Sequence, residues 1–283
     1  MKTYICAGIG DFLCLDCFLT QDERNSITEI YWGSRFGKDI APLIEKNFYY
    51  PNVKVQNFID DETGKKYWKE LKPDEPHNWT FWHFRSDIPE HFQKALSHYN
   101  LKIGDVQDFT PISFFNDTQR NYTGSSFINN ASITDFDFNK FKIIPGKYML
   151  VHFPTSSRPR NDIATITQND WAFIENTSKE KNLPVVVITD TEIEFLKEKN
   201  FIVLFKPEMK SIISLIKYAG YYFGCDSFVA ILCSKILASN KMVIKSPRSN
   251  IKEILPGHIW NHKYFSPHKP NIIQKFYHYE PCG

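Results

Sequence analysis

The chain alternates between short apolar runs and longer segments whose apolar residues recur at helical spacing. Ten runs have the length and the branched or aromatic character of strands: residues 3–7, 27–32, 53–59, 78–84, 106–115, 148–153, 184–189, 201–205, 221–224 and 242–244. Helical character lies between most of them, as in the apolar series from Val229 to Ile236. Parallel strands need a crossover between neighbours, and that crossover is usually a helix. We therefore expect an α/β fold with parallel sheets.

The alternation is interrupted once, near the middle of the chain. Residues 1–115 form one βα-alternating domain, and residues 147–283 form a second. Residues 116–146 between them are rich in Asn, Asp, Ser and Thr and contain Gly124. Loops of this length without structure of their own tend to be functional or mobile. We interpret this stretch as an interdomain loop.

Composition limits the classes of partner and the cellular compartment that we expect for the protein. With 283 residues, of which 42% are hydrophobic, the chain can bury a sizeable core. Its 34 basic and 32 acidic residues nearly balance, which argues against a nucleic-acid or membrane-surface role. No apolar run reaches the ~18 residues of a membrane-spanning helix, and Gly8, Gly10 and Asp11 come too early for a signal peptide. Cys14 and Cys17 lie in an apolar helix candidate and are predicted to be buried thiols, which suits a cytoplasmic protein.

The stretch from residue 221 to residue 246 carries the clearest candidate site. A strand, residues 221–224, runs into Cys225-Asp226-Ser227 and is followed by a helix and a second strand. In parallel sheets ligands bind at the carboxyl ends of the strands, where Asp226 and Ser227 are expected. They also begin a helix, whose free N–H groups and dipole attract an anion. The alternative is that one of them is only the N-cap of that helix.

A polar loop after the strand at residues 148–153 is the second candidate. It contains Thr155, Ser156, Arg158 and Arg160. Hydroxyl and guanidinium groups suit a diphosphate, because arginine offers paired donors to phosphate oxygens. The alternative is a solvated surface turn. We expect this loop to lie on the same sheet edge as Ser227, about two strands away, and to form a nucleotide-phosphate site with it.

In the first half, a strand runs into Gly8-Ile9-Gly10-Asp11 before a helix expected at residues 12–19. Gly8 and Gly10 let the backbone turn sharply and approach a ligand closely. No third glycine follows, so NAD binding is only weakly supported. A carboxylate at Asp11 could act as a general base on a hydroxyl nucleophile, or could simply cap the helix. The nine histidines show no ligand spacing, and we interpret them as surface or packing residues.

Three segments in this order resemble one family. Gly8-Ile9-Gly10-Asp11-Phe12-Leu13 is similar to the opening of the heptosyltransferase-like GT-B glycosyltransferases (glycosyltransferase family 9). Tyr222-Phe223-Gly224-Cys225-Asp226-Ser227 is similar to the family's "DSG" segment. His152-Phe153-Pro154-Thr155-Ser156-Ser157 stands where the family opens its second domain with a strand and a phosphate loop. Phe228 stands in place of the family's glycine, and Ile231 in place of an expected histidine.

The resemblance implies two facing Rossmann-like domains with parallel sheets and a metal-independent, inverting sugar transfer. The donor would be a nucleotide-sugar bound as substrate, with no further cofactor, and the acceptor a hydroxyl of a saccharide or glycoconjugate. No nucleic acid is implied, and peripheral contact with a membrane is left open. By resemblance, Asp11 would be the acceptor-side base. The donor diphosphate would be bound by Thr155, Ser156 and Arg158, and the ribose or phosphate edge by Asp226 and Ser227.

Two other functions are compatible with the same fold. One is a nucleotide-sugar epimerase or hydrolase, which would act on the donor without an acceptor. The other is a non-catalytic protein that binds a sugar or nucleotide, and Phe228 is the feature that most favours it. Fold similarity does not choose among these mechanisms.

Overall fold

A computed structural model describes residues 2–5, 9–17, 19–32, 37–57, 79–82, 107–109, 123–152, 168–190, 196, 198–225 and 227–245. The strands are β1 Lys2–Ile5, β2 Glu29–Trp32, β3 Lys54–Asn57, β4 Trp79–Trp82, β5 Gln107–Phe109, β6 Met149–His152, β7 Val185–Thr189, β8 Ile202–Phe205, β9 Tyr221–Cys225 and β10 Met242–Lys245. The helices are α1 Ile9–Asp16, α2 Gln21–Ser26, α3 Gly37–Glu45, α4 Ser126–Asn130, α5 Gln168–Lys181, α6 Met209–Lys217 and α7 Phe228–Cys233. No helix in the described part of the chain is long and apolar enough to cross a membrane.

The strands form two five-stranded sheets in which every pair is parallel. The first sheet has the order β3-β2-β1-β4-β5, and the second has the order β8-β7-β6-β9-β10. Counted within its own sheet, each is therefore ordered 3-2-1-4-5. These are the first five strands of the doubly wound nucleotide-binding order. The predicted α/β class with parallel sheets is confirmed.

The chain divides into two compact units, Met1–Asn130 and Ala131–Gly283. The division falls inside the stretch that we interpreted as an interdomain loop, of which the structure describes residues 123–146. Helix α4 belongs to the first unit. The backbone after it is bound by α6 of the second unit: Ser211 donates to the Asp135 carbonyl at 2.8 Å, Ser214 to that of Ser132 at 2.9 Å and Lys217 to that of Ala131 at 2.7 Å.

The second sheet shows why consecutive branched residues form its inner strands. Every residue of β6 and of β7 is buried, because helices cover both faces of a parallel sheet. At the sheet edge, β8 leaves Val203 and Phe205 exposed. Helix α5 packs on one face through Trp171 and Ile174. Each such side chain contributes about 1.5–3 kcal/mol by leaving water.

A buried ion pair organises the first unit. Asp16, the last residue of α1, is fully buried, and its carboxylate accepts hydrogen bonds from Arg24 Nε at 3.1 Å and Tyr50 Oη at 2.8 Å. Its second oxygen accepts the Ser126 N–H at 2.7 Å. Arg24 also donates to the Gly124 carbonyl at 3.1 Å. The pair therefore fastens the start of α4 to α1 and α2.

Burial raises the pKa of the Asp16 carboxyl, while Arg24, Ser126 and Tyr50 act in the opposite direction. Replacing Asp16 with asparagine leaves the guanidinium of Arg24 buried without a counter-charge. Removing one partner of a buried pair typically costs about 3–5 kcal/mol. Asp16→Asn should therefore lower the free energy of unfolding by that amount, measured by urea titration.

The matched control is Glu208→Gln, since Glu208 pairs with Lys210 at 3.2 Å with both side chains mostly exposed. Exposed pairs contribute about 0–1 kcal/mol, so this variant should unfold close to the wild type. If the two variants lost the same stability, the buried pair would not be what organises the first unit.

Candidate functional site

The order of the second sheet reverses between β6 and β9. Strand β6 pairs with β7 on one side and with β9 on the other. In doubly wound sheets, ligands bind outside the carboxyl ends of the strands at this point of reversal, called the switch point. The register pairs His152, the last residue of β6, with Gly224 of β9. The side chain of His152 therefore lies where the fold predicts a ligand.

Gly224 permits this close pairing. A Cβ placed on it would lie 2.7 Å from the carbonyl oxygen of His152, and Tyr222 also covers the position. Real Cβ atoms essentially never approach backbone this closely, so a larger residue would push the two strands apart. The glycine before Cys225 is therefore explained by strand packing rather than by a turn.

Within the described part of the chain, three side chains meet at the switch point, and we call His152, Ser227 and Phe228 the switch-point cluster. His152 Nδ1 lies 3.0 Å from Ser227 Oγ. Ser227 is the N-cap of α7, and its Oγ accepts the Ala230 N–H at 3.3 Å. The Phe228 ring meets the imidazole edge-on, with 5.9 Å between ring centroids. The cluster thus joins residues from the carboxyl ends of two neighbouring strands.

The imidazole of His152 is neutral at neutral pH. Burial lowers its pKa from 6.5 to about 4, because the charged form would lose its hydration. A neutral imidazole carries one N–H donor and one acceptor nitrogen. His152 can therefore either donate to Ser227 or accept from it, but it supplies no positive charge to a ligand.

Of the predicted site residues, Ser227 is the one whose side-chain contacts the structure describes. The alternative that it is an N-cap is confirmed, and its hydroxyl also contacts His152. Gly10 and Asp11 lie in the first turn of α1, which begins at Ile9 rather than at residue 12. The side chain of Asp11 lies outside what is described. The other predicted site residues also lie outside the described part of the chain: Gly8, Thr155, Ser156, Arg158, Arg160 and Asp226.

The predicted spacing of the two polar segments was wrong. We expected the loop at 155–160 about two strands from Ser227, but it follows β6, and β6 is the immediate neighbour of β9. The reason is the doubly wound order, in which the first and fourth strands of a unit pair directly. The two segments thus leave adjacent strands at the switch point.

His152 is the site residue that the sequence interpretation missed. It was grouped with the surface or packing histidines, and it is indeed buried, but it is also hydrogen-bonded to Ser227. A polar residue that ends an apolar strand directly before a polar loop is a signal that could have found it. The buried-thiol prediction is confirmed for Cys17, whose Sγ donates to the Leu13 carbonyl at 3.2 Å.

Within the residues that the structure describes, no three His, Cys, Asp or Glu side chains come together as they would around a metal ion. Comparison of the chain with protein-family models, with curated proteins and with solved structures finds no match. Evidence for a function therefore comes from the topology of the sheets and from the geometry of the switch-point cluster.

The lowered pKa of His152 predicts a pH dependence of stability. In the unfolded chain this imidazole binds a proton near pH 6.5, whereas the folded protein binds it only near pH 4. Its contribution to stability is thus present above about pH 6.5 and is lost as the pH falls to 4. We expect the wild type to lose about 3 kcal/mol more than His152→Leu over this range, measured by urea titration at each pH. Equal losses in both proteins would contradict a buried neutral imidazole.

Proposed function

We propose that the chain is a glycosyltransferase that moves a sugar from a nucleotide-sugar donor to an acceptor hydroxyl. The observation that carries the proposal is the repetition of the 3-2-1-4-5 parallel order in two successive units. Each unit thereby has a switch point at which a ligand can bind. Two such units in one chain are the organisation of the GT-B enzymes that the sequence resembles. In this proposal the two units face each other, with the acceptor on the first and the donor on the second.

The donor is placed at the switch point of the second unit because its polar segments leave adjacent strands there. The loop that contains Arg158 and Arg160 follows β6, and Ser227 follows β9. Arginine gives paired donors to phosphate oxygens, and a serine hydroxyl gives one more. Together they would hold the diphosphate and stabilise the negative charge that develops when it leaves. Fixed donors of this kind can contribute a few kcal/mol to catalysis.

Asp11 is the proposed base. It follows β1, and the order of the first sheet reverses between β1 and β4, so Asp11 belongs to the switch point of that unit. Its carboxylate would take the proton of the acceptor hydroxyl as the oxygen attacks the anomeric carbon. The bond from that carbon to the diphosphate oxygen breaks, and the nucleoside diphosphate leaves with the electron pair. The result is transfer with inversion.

Nucleotide binding tests the donor site. Among UDP, ADP, GDP and CDP, we expect one to raise the melting temperature by on the order of 5 °C at about 100 times its dissociation constant. The shift should be the same with and without magnesium. Arg158→Ala should abolish it, because the paired phosphate donors are lost. Lys210→Ala removes an exposed cation of the same unit and should leave it unchanged. No shift with any of the four nucleotides would contradict the proposal.

The rate of product formation tests the role of Asp11 as the general base. Asp11→Asn removes the proton acceptor, and general-base catalysis contributes about 100-fold to 10,000-fold, so product formation should fall at least 100-fold. Donor binding should stay near that of the wild type. Asp22→Asn, an exposed aspartate in the same unit, is the matched control and should retain full activity. Wild-type turnover in Asp11→Asn would rule out its role as the base.

A second candidate is a non-catalytic nucleotide- or sugar-binding protein. The observation that favours it is the ring of Phe228, which lies against His152 at the switch point. The enzymes that the sequence resembles have glycine at this position. This function predicts a nucleotide-dependent thermal shift without any product. A hydrolase or epimerase would instead release free sugar or an isomerised donor when no acceptor is added.

A further inference from the structure

We propose that His152 is a positioning residue whose Nδ1–H donates to Ser227 Oγ, so that the Ser227 hydroxyl proton is free to bind a donor phosphate oxygen. This inference rests on the proposed function, because it assigns the Ser227 hydroxyl to the diphosphate of the nucleotide-sugar. His152 itself need not touch the ligand. Its role is to fix which hydrogen-bonding group Ser227 presents.

The hydrogen-bonding capacity of Ser227 leads to this assignment. A hydroxyl has one proton to donate and two lone pairs that accept. One lone pair already accepts the Ala230 N–H at 3.3 Å. If His152 Nδ1–H donates across the 3.0 Å contact, the second lone pair is also filled and the proton remains available. If instead the Ser227 hydroxyl donated its proton to an unprotonated Nδ1, that proton would no longer be available. The Ser227 oxygen would then present only a lone pair to the ligand.

An anionic ligand can bind well to only one of these two hydrogen-bonding arrangements of Ser227. A phosphate oxygen accepts hydrogen bonds and is repelled by a lone pair, so a site for a diphosphate requires the hydroxyl proton to point outward. His152 can hold that arrangement because it is buried, its ring is packed against Phe228, and its strand is paired with β9. Burial also lowers the pKa of His152 to about 4, so that at neutral pH only one of its two ring nitrogens carries a proton.

The tautomer of His152 can be read directly in the ligand-free protein. The nitrogen-15 chemical shifts of an imidazole differ between a protonated and an unprotonated ring nitrogen. The signals of His152 are assigned as those that disappear from the spectrum of the His152→Asn variant. We expect Nδ1 to be protonated and Nε2 bare at about pH 7. The opposite tautomer would overturn the inference and leave the proposed function standing.

Binding measurements test the action through Ser227. The probes are inorganic pyrophosphate and the nucleoside diphosphate that gives the largest thermal shift, both titrated by calorimetry. His152→Leu should weaken binding about 10-fold, the effect of a hydrogen bond to a charged group. His152→Asn keeps an N–H donor near the position of Nδ1 and should retain binding within about 3-fold. The double variant His152→Leu with Ser227→Ala should bind no more weakly than Ser227→Ala alone, because the two residues act as one unit.

These binding measurements distinguish failure of the proposed function from failure of the proposed role of His152. If the wild type binds neither probe, the proposed function and the inference fail together. If the wild type binds but His152→Leu binds equally well, or its effect adds fully to that of Ser227→Ala, only the inference fails. Lys210→Ala, which removes an exposed cation of the same unit, is the control for these variants, with wild-type binding expected.

Discussion

The close parallel pairing of β6 with β9 determines where the candidate site lies. Gly224 allows the backbone of β9 to approach the carbonyl of His152, and this contact brings together the carboxyl ends of the first and fourth strands of the unit. The point where the strand order reverses is thereby created between them. Because Ser227 follows β9 directly, its hydroxyl comes within hydrogen-bonding distance of an imidazole 75 residues earlier in the chain.

The two units use buried polar groups in different ways. In the first unit, the carboxylate oxygens of Asp16 accept from Arg24, Tyr50 and Ser126, and such a satisfied group stabilises local structure. In the second unit, Ser227 Oγ has two partners among the residues that the structure describes, and a hydroxyl has the capacity for a third. A hydroxyl held by two bonds and able to make another is preorganised for a ligand, because its orientation is set before binding.

Every predicted strand overlaps one in the structure, because most of the strands are rich in branched or aromatic residues; β3 (KVQN) and β5 (QDF) are the more polar exceptions. Helix α2 was not predicted, since its sequence QDERNS has no apolar periodicity. Its capping box was nevertheless readable: Glu23 N–H donates to Thr20 Oγ1, and the Thr20 N–H donates back to the Glu23 carboxylate. Helix α4 has five residues and begins at the buried Asp16 contact, which no local pattern reveals.

The candidate site was predictable only in part. Ser227 was found because a hydroxyl residue after a buried strand marks both a helix N-cap and a ligand edge. The sequence alone could not predict the contact between His152 and Ser227, because that contact depends on which strands become neighbours in the sheet. Helix α1 begins at Ile9, three residues before its predicted start at residue 12, because the first turn tolerates Gly10 and favours an acidic residue such as Asp11.

Hydrogen exchange with and without nucleotide shows whether a nucleoside diphosphate binds at the carboxyl ends of β6 and β9. The wild-type protein would be compared alone and saturated with UDP, ADP, GDP or CDP in turn. We predict slower exchange in peptides that contain the ends of these strands and the start of α7 at Phe228. Unchanged exchange in those peptides with all four nucleotides, or protection confined to the first unit, would contradict nucleotide binding at the switch point of the second unit.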